Sequence, residues 1–482
     1  MRGRLANART DGANTQARRR GLAALVALGL VGVTDAASAN GRFPAANQLV
    51  PGPGRLVVRS TFGLLVGDMP AGPLAWVCEP AYGLSDEQDP PIAVASGARV
   101  LLAPYQGMQR SDESACSFAA TSGIGPGEQL IDVSVDRTDT TRAVAVTWES
   151  SSRLTRVYGT SDAGATWSVR GTLPETDGIP STLDLAPSQA GRVVVAGAFA
   201  AGGTVRGYVS VSDDLGATWK RSEVALDGAQ GLYLSAIDPI DAGRMYARTS
   251  GGNASDRLVV STDGGASFTT LTQTTGAMLG FALSPDGAQV AIGSAQGGVQ
   301  VAARGSSGFV TVRTAATTCL AWSSEGLYAC GSGLGGDFAV GRSTDGGASW
   351  VPVLARLGDL AAPGSRCGAG TGVATACGPL WPAQKQQLDA IGSAGAAGSA
   401  GGGAGMSGAS GQSGAGAAGT GGVAGGAAGG GGAAGGPAEV GVETPAGDLD
   451  GNCVAANRGA GRGGGGLALA AIVGWLLARR RR

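Results

Sequence analysis

The side chains able to do acid, base or nucleophilic chemistry are unevenly supplied, and the gaps decide as much as the entries. The chain has no histidine, so a Ser-His-Asp triad, a His-ligated metal and an imidazole pH switch are excluded. Lys220 and Lys385 are the only lysines, which leaves little for Schiff-base chemistry. What remains is carboxylates, exemplified by Glu79, Glu149 and Asp238, together with arginines such as Arg59, Arg156 and Arg248 and tyrosines such as Tyr105, Tyr158 and Tyr233. Two carboxylates at a defined separation make a glycosidase. One sequence does not say which of these groups converge, so the elements that would position them come next.

A short pattern recurs: Ser or Thr, Asp two on, Gly two further, then Thr or Ser and an aromatic. Its copies place Asp162, Gly164, Thr166 and Trp167 in the first, Asp214, Gly216, Thr218 and Trp219 in the second, Asp263, Gly265, Ser267 and Phe268 in the third, and Asp345, Gly347, Ser349 and Trp350 in the fourth. The aspartates are separated by 52, 49 and 82 residues, the last interval holding two shorter periods with one degenerate copy. The chemistry is that of a hairpin turn. Asp accepts N–H groups of its own turn, Gly takes positive φ, and the aromatic drops into the core beneath.

This pattern resembles the Asp-box, or BNR repeat, of sialidases, sortilin-type ectodomains, some glucanases and photosystem assembly factors. The resemblance implies an all-β chain folded as a β-propeller, with the aspartates structural on the rim rather than catalytic. Apolar strand pairs precede the boxes, as in Leu183–Phe199, Tyr233–Ala247 and Phe281–Gly293, the last filling the long interval. Ser111–Phe118 resembles a box with one inserted residue, and Trp76 stands where a box aromatic belongs. The count is seven four-stranded blades near residues 55–83, 91–122, 129–173, 181–225, 231–273, 278–313 and 316–355. Six or eight stay open, with residues 357–388 available for a closing strand.

Seven cysteines in an exported chain predict three disulfides and one odd residue. Cys319 and Cys330 face each other in a hairpin turning at Ser323–Gly326, within bridging distance. Cys367 and Cys377 flank a Gly-rich loop and are expected to pair, leaving Cys78 with Cys116, though the other pairings of these four stay open. No Cys-x-x-Cys spacing exists, and no metal or cofactor is implied. The acidic loop Ser85–Pro91 and the scrap Asp448–Gly451 read as solvated loops.

The two ends read as addresses. Arg18–Arg20, the apolar run Gly21–Val33 and the small residues up to Ala39 predict a secretory signal over residues 1–39, cleaved after Ala39. Residues 40–54 are a lead-in and 55–390 the propeller. Residues 391–447 form a disordered linker, for residues 392–437 contain 22 Gly and 14 Ala without a charge. Such a chain buries no core and spans roughly 40 Å on average. Residues 448–482 carry Cys453, a Gly-rich stretch, a short apolar run and terminal arginines. This layout resembles the C-terminal sorting segment of myxobacterial surface proteins, which implies processing at Cys453 and a membrane stretch with its positive end inside.

The formal charge of −1 conceals an acidic body. Each end holds six arginines, and residues 40–452 carry 23 basic against 34 acidic groups, which argues against a phosphate-backbone partner. The reading that follows is an exported, monomeric, surface-tethered propeller, a non-catalytic module for a surface glycan or a protein ligand. The alternative is a secreted glycoside hydrolase. The sialidase branch needs three arginines on a carboxylate, a Tyr–Glu pair and an Asp acid; Arg59-Ser60-Thr61-Phe62 does not match its N-terminal arginine context. An acidic cluster with an arginine triad at the channel would favour that alternative, and a channel of Gly, Ala and Val would oppose it.

Overall fold

Runs such as Val193-Val194-Val195-Ala196 and Val144-Ala145-Val146 favour the pleated sheet and fill both of its faces, and Gly- or Asp-bearing turns cut them into short strands. The computed structural model describes residues 44–84, 88–125, 127–174, 178–251 and 255–400. These fold into seven four-stranded antiparallel sheets, each a continuous up-and-down meander, over residues 46–77, 92–120, 129–172, 179–224, 231–273, 278–313 and 319–354. They are blades I to VII of a β-propeller.

The first strand of each blade packs beside the first strands of its neighbours and lines the axis. The ring closes where Cys319–Ser323 of blade VII lies against Ala46–Gly52 of blade I, and the Thr318 hydroxyl donates to the Ala46 carbonyl at 2.6 Å. Blade I therefore begins before residue 55, and part of the expected lead-in is its innermost strand. Two features disguised that strand. Pro53-Gly54 is the hairpin turn, with Gly54 at φ 68°, and the polar Asn47 and Gln48 are consumed inside: Asn47 Oδ1 accepts from Arg59 Nε at 2.9 Å and Gln48 Oε1 from the Ile92 N–H at 3.3 Å.

Among the described residues no strand is shared across the seam between blades VII and I. Residues beyond blade VII form a clasp instead of the closing strand considered above. Ala361 bridges the outer strand of blade I, accepting from the Trp76 N–H at 3.2 Å and donating to Leu74 O at 2.9 Å. Helix α1 (Gly372–Cys377) and helix α2 (Trp381–Ala400) follow. α2 continues through residues 391–400, the start of the expected linker, where alanines keep helical propensity among the glycines.

The disulfides correct one expectation. Cys319 and Cys330 pair as the hairpin register requires, with Cα atoms 4.9 Å apart. The other four join as Cys78–Cys377 and Cys116–Cys367, not as Cys367–Cys377 and Cys78–Cys116. The tail returns along blades I and II, so each tail cysteine meets a blade cysteine. The signal segment with Ala39, the linker from residue 401 and the sorting segment with Cys453 lie outside the described residues. Among the described residues no helix is long and apolar enough to cross a membrane.

Candidate functional site

Each repeated turn joins the third and fourth strands of its blade, and the four full copies share one hydrogen-bond set. In blade IV the Ser212 hydroxyl donates to Asp214 Oδ1 at 2.8 Å and accepts from the Gly216 N–H at 2.7 Å. Asp214 also accepts the Thr218 N–H at 2.8 Å and the Thr218 hydroxyl at 2.7 Å. Donation from Thr218, Ser267 and Ser349 lowers the carboxyls of Asp214, Asp263 and Asp345 to about 2. At Asp162 partial burial opposes the same bonds, which prevail and bring it also to about 2. Gly164 sits at φ 84°, where a Cβ would meet Leu101 Cδ2 of blade II at 2.4 Å. The aromatic then joins a core shared with the preceding blade: Trp167 belongs to one cluster with Leu101 and Met108 of blade II, and Trp350 packs against the cluster that holds Val301 of blade VI.

Blade II carries the weaker copy. Asp112 accepts the Cys116 N–H at 2.9 Å, the four-residue reach of the full turns, but Ser111 donates to the Asp112 carbonyl and a disulfide cysteine stands in the turn. In blade I, Trp76 donates to Phe62 O at 2.8 Å while Asp68 pairs with Arg55 and Arg366. These groups hold turns and seams, and in the four full copies both oxygens of each aspartate are bonded within the turn.

Because strands alternate in direction, the 1–2 and 3–4 turns share one face of the disc, here the upper face, and the 2–3 turns the other. The axial channel opens on the upper face as a mouth of about 750 Å³. Val50, Val133, Ala236, Phe281, Ala282 and Leu320 supply its walls, with Pro187, Pro239 and Pro285 at the turns around it and Trp322 on the blade VII side. The charged side chains lining it are Arg137, Asp184 and Glu325.

Asp184 is a seam group. Its carboxylate accepts from Ser134 Oγ at 2.8 Å, the Leu185 N–H at 2.9 Å and the Ile237 N–H of blade V at 3.3 Å; burial pushes its carboxyl up against these bonds and the Arg137 charge. Asp132 does the same one blade earlier, accepting the Leu183 N–H of blade IV at 2.9 Å. Glu325 faces Arg342 at 3.5 Å. Sequence reasoning missed Arg137, Asp184 and Trp322; their one signal was position, at or just beyond the ends of first strands.

The three arginines singled out from the sequence stay in separate blades, and of the carboxylates singled out with them Arg156 meets Glu149. Arg59 is buried in blade I against Asn47, Asp89 O and Pro90 O. Arg156 pairs with Glu128 at 2.9 Å and Glu149 at 3.2 Å in blade III. Arg248 pairs with the fully buried Asp256 at 3.0 Å in blade V and covers the Tyr233 ring. Tyr158 donates to Glu128 at 2.7 Å, and burial, then that carboxylate, raises its phenol above the ordinary value, opposite to what a nucleophilic tyrosinate needs. Glu79 is buried in the turn Glu79–Tyr82, Asp238 is held by Arg304 at 2.7 Å, and Tyr105 is exposed.

Fold and channel together define a seven-bladed β-propeller whose axial mouth is walled chiefly by apolar side chains. No family model matches the chain, and no curated protein matches it. Among solved structures it is similar to the Cps50 (Swd1) β-propeller domain of Myceliophteria thermophila, at 9% identity and TM-score 0.42 over 60% of this chain and 94% of that one. It is also similar to YCF48 bound to D1 peptide, at 17% identity and TM-score 0.34 over 49% of this chain and 70% of that one.

Proposed function

We propose that this is an exported, cell-surface-held propeller of the Asp-box type that acts as a non-catalytic binding module through its upper channel mouth. One observation carries the reading: the mouth is a cavity of ligand size whose two carboxylates are occupied in holding the structure, Asp184 by a seam and Glu325 by Arg342. A rigid disc with a recessed apolar mouth suits recognition of a surface glycan or a protein segment. Three buried disulfides support an oxidising compartment. The experiment is a glycan and peptide array on the purified protein, run beside fluorogenic sialosides and aryl glycosides. Binding that Trp322→Ala removes, without turnover, is the expected result. Hydrolysis abolished by Asp184→Asn or Glu325→Gln overturns it in favour of the glycosidase.

A further inference from the structure

Arg137 differs from every other charged group of the mouth. Asp184 is saturated by Ser134, Leu185 and Ile237, and Glu325 lies against Arg342. The acids flanking Arg137 in its own turn are also committed. Asp136 accepts from the Thr138 N–H at 2.9 Å and its hydroxyl at 2.6 Å and faces Arg142 at 3.7 Å. Asp139 accepts from Thr141 through its N–H at 3.1 Å and its hydroxyl at 2.6 Å. Arg137 is exposed on the turn, lines the cavity, and has no hydrogen-bonded carboxylate among the described residues. A planar guanidinium offers paired donors matched to a carboxylate, and beside an apolar wall such a pair is shielded on one side from water.

From this juxtaposition we infer that the upper mouth binds an apolar stem ending in a single carboxylate, the stem against the channel wall of Val133, Phe281 and Trp322 and the carboxylate on Arg137. Two sources share that chemistry: the free C-terminus of an apolar polypeptide and a small amphiphilic carboxylate. The inference rests on the binding-module reading and adds the ligand class. The acid whose charge acts on Arg137 is Asp184, which is buried and already accepts from Ser134, Leu185 and Ile237.

The test uses the full chain and Trp322 emission, with Trp322→Phe to assign the signal. The probes are acetyl-Val-Pro-Leu with a free carboxylate, the same peptide as its amide, octanoate and octanol. The carboxylate peptide is expected to bind at least about tenfold tighter than the amide, as loss of one charge-assisted contact implies. Arg137→Gln is expected to close that gap and Arg206→Gln, at an exposed arginine outside the mouth, to leave it open, with salt narrowing it. A gap between octanoate and octanol alone supports the same site with a small-molecule source. Equal binding of carboxylate and neutral probes, or a gap that survives Arg137→Gln, overturns the ligand class while leaving a binding mouth. Silence of all four probes also overturns it, and the arrays then judge the module reading separately.

Discussion

Cys78 and Cys377 stand 299 positions apart in the chain and 5.4 Å apart at Cα, so a covalent bond joins the end of blade I to the tail that follows blade VII. Cys116 and Cys367, 251 positions apart, repeat the connection to blade II. Here each described blade holds its own four strands, and the tail fastens the seam where blades VII and I meet. Trp76 and Trp381, with ring centres 5.8 Å apart, belong to the same packed region as the first bridge.

Replacing both Cys78 and Cys377 by Ser is expected to cost about 3–5 kcal/mol, because with Cys116–Cys367 in place the bridge still closes a further loop through residues 78–116 and 367–377 of the unfolded chain. Guanidinium unfolding of variant and parent measures it. An unchanged midpoint would show that the Cys116–Cys367 bridge and the packing between blades VII and I hold the ring without it.

Acid should act through the repeated turns. Asp214, Asp263 and Asp345 have carboxyls lowered from 3.8 to about 2, so the unfolded chain takes up these protons first. Their stabilisation is complete above about pH 4 and is lost as pH falls toward 2. Thermal midpoints across that window should fall less steeply for Asp263→Asn than for the parent; parallel curves would remove these turns as the cause.

Trp167 is 4% exposed in the blade II–III seam, and Trp167→Ala should cost about 3–5 kcal/mol through the cavity it leaves. Val169, two residues on and 52% exposed, should tolerate Ala within about 0.5 kcal/mol. Comparable losses at the two positions in chemical denaturation would mean that the aromatic does not seal the seam.

Ion pairs should divide by burial. Asp256→Ala strands Arg248 in the interior and is expected to cost about 3–5 kcal/mol. Arg206→Ala breaks an exposed pair with Glu223 and should cost at most about 1 kcal/mol. Both are read from the same denaturant series, and a larger loss at Arg206 would reverse the assignment.

How legible each part was depends on how local its cause is. The turns of Asp162, Asp214, Asp263 and Asp345 are written within eight residues each, and the Cys319–Cys330 bridge follows from one hairpin register; both read directly from the chain. The tail cysteines did not, because their partners depend on where residues 360–377 return, which no local pattern encodes. The first strand of blade I was hidden by polar residues whose partners, Arg59 and Ile92, lie in other strands. Arg137 and Trp322 became site residues only when seven separate strands met at an axis.

The described chain enters on the lower face, and its last helix packs on that face. Ala45 bonds Thr61 at a 2–3 turn, at 2.9 and 3.0 Å, and α2 packs on the turn Leu357–Asp359 after the last strand of blade VII. The clasp thereby acquires a mechanical meaning. A pull on the C-terminal end enters through α2 and passes at Cys377 into Cys78 of blade I. Blade VII is bypassed, because the bridge lies in the chain between that blade and the pulled end. Tension would have to break covalent bonds before it could peel the ring open from its last blade, and the opposite mouth would keep its shape under load.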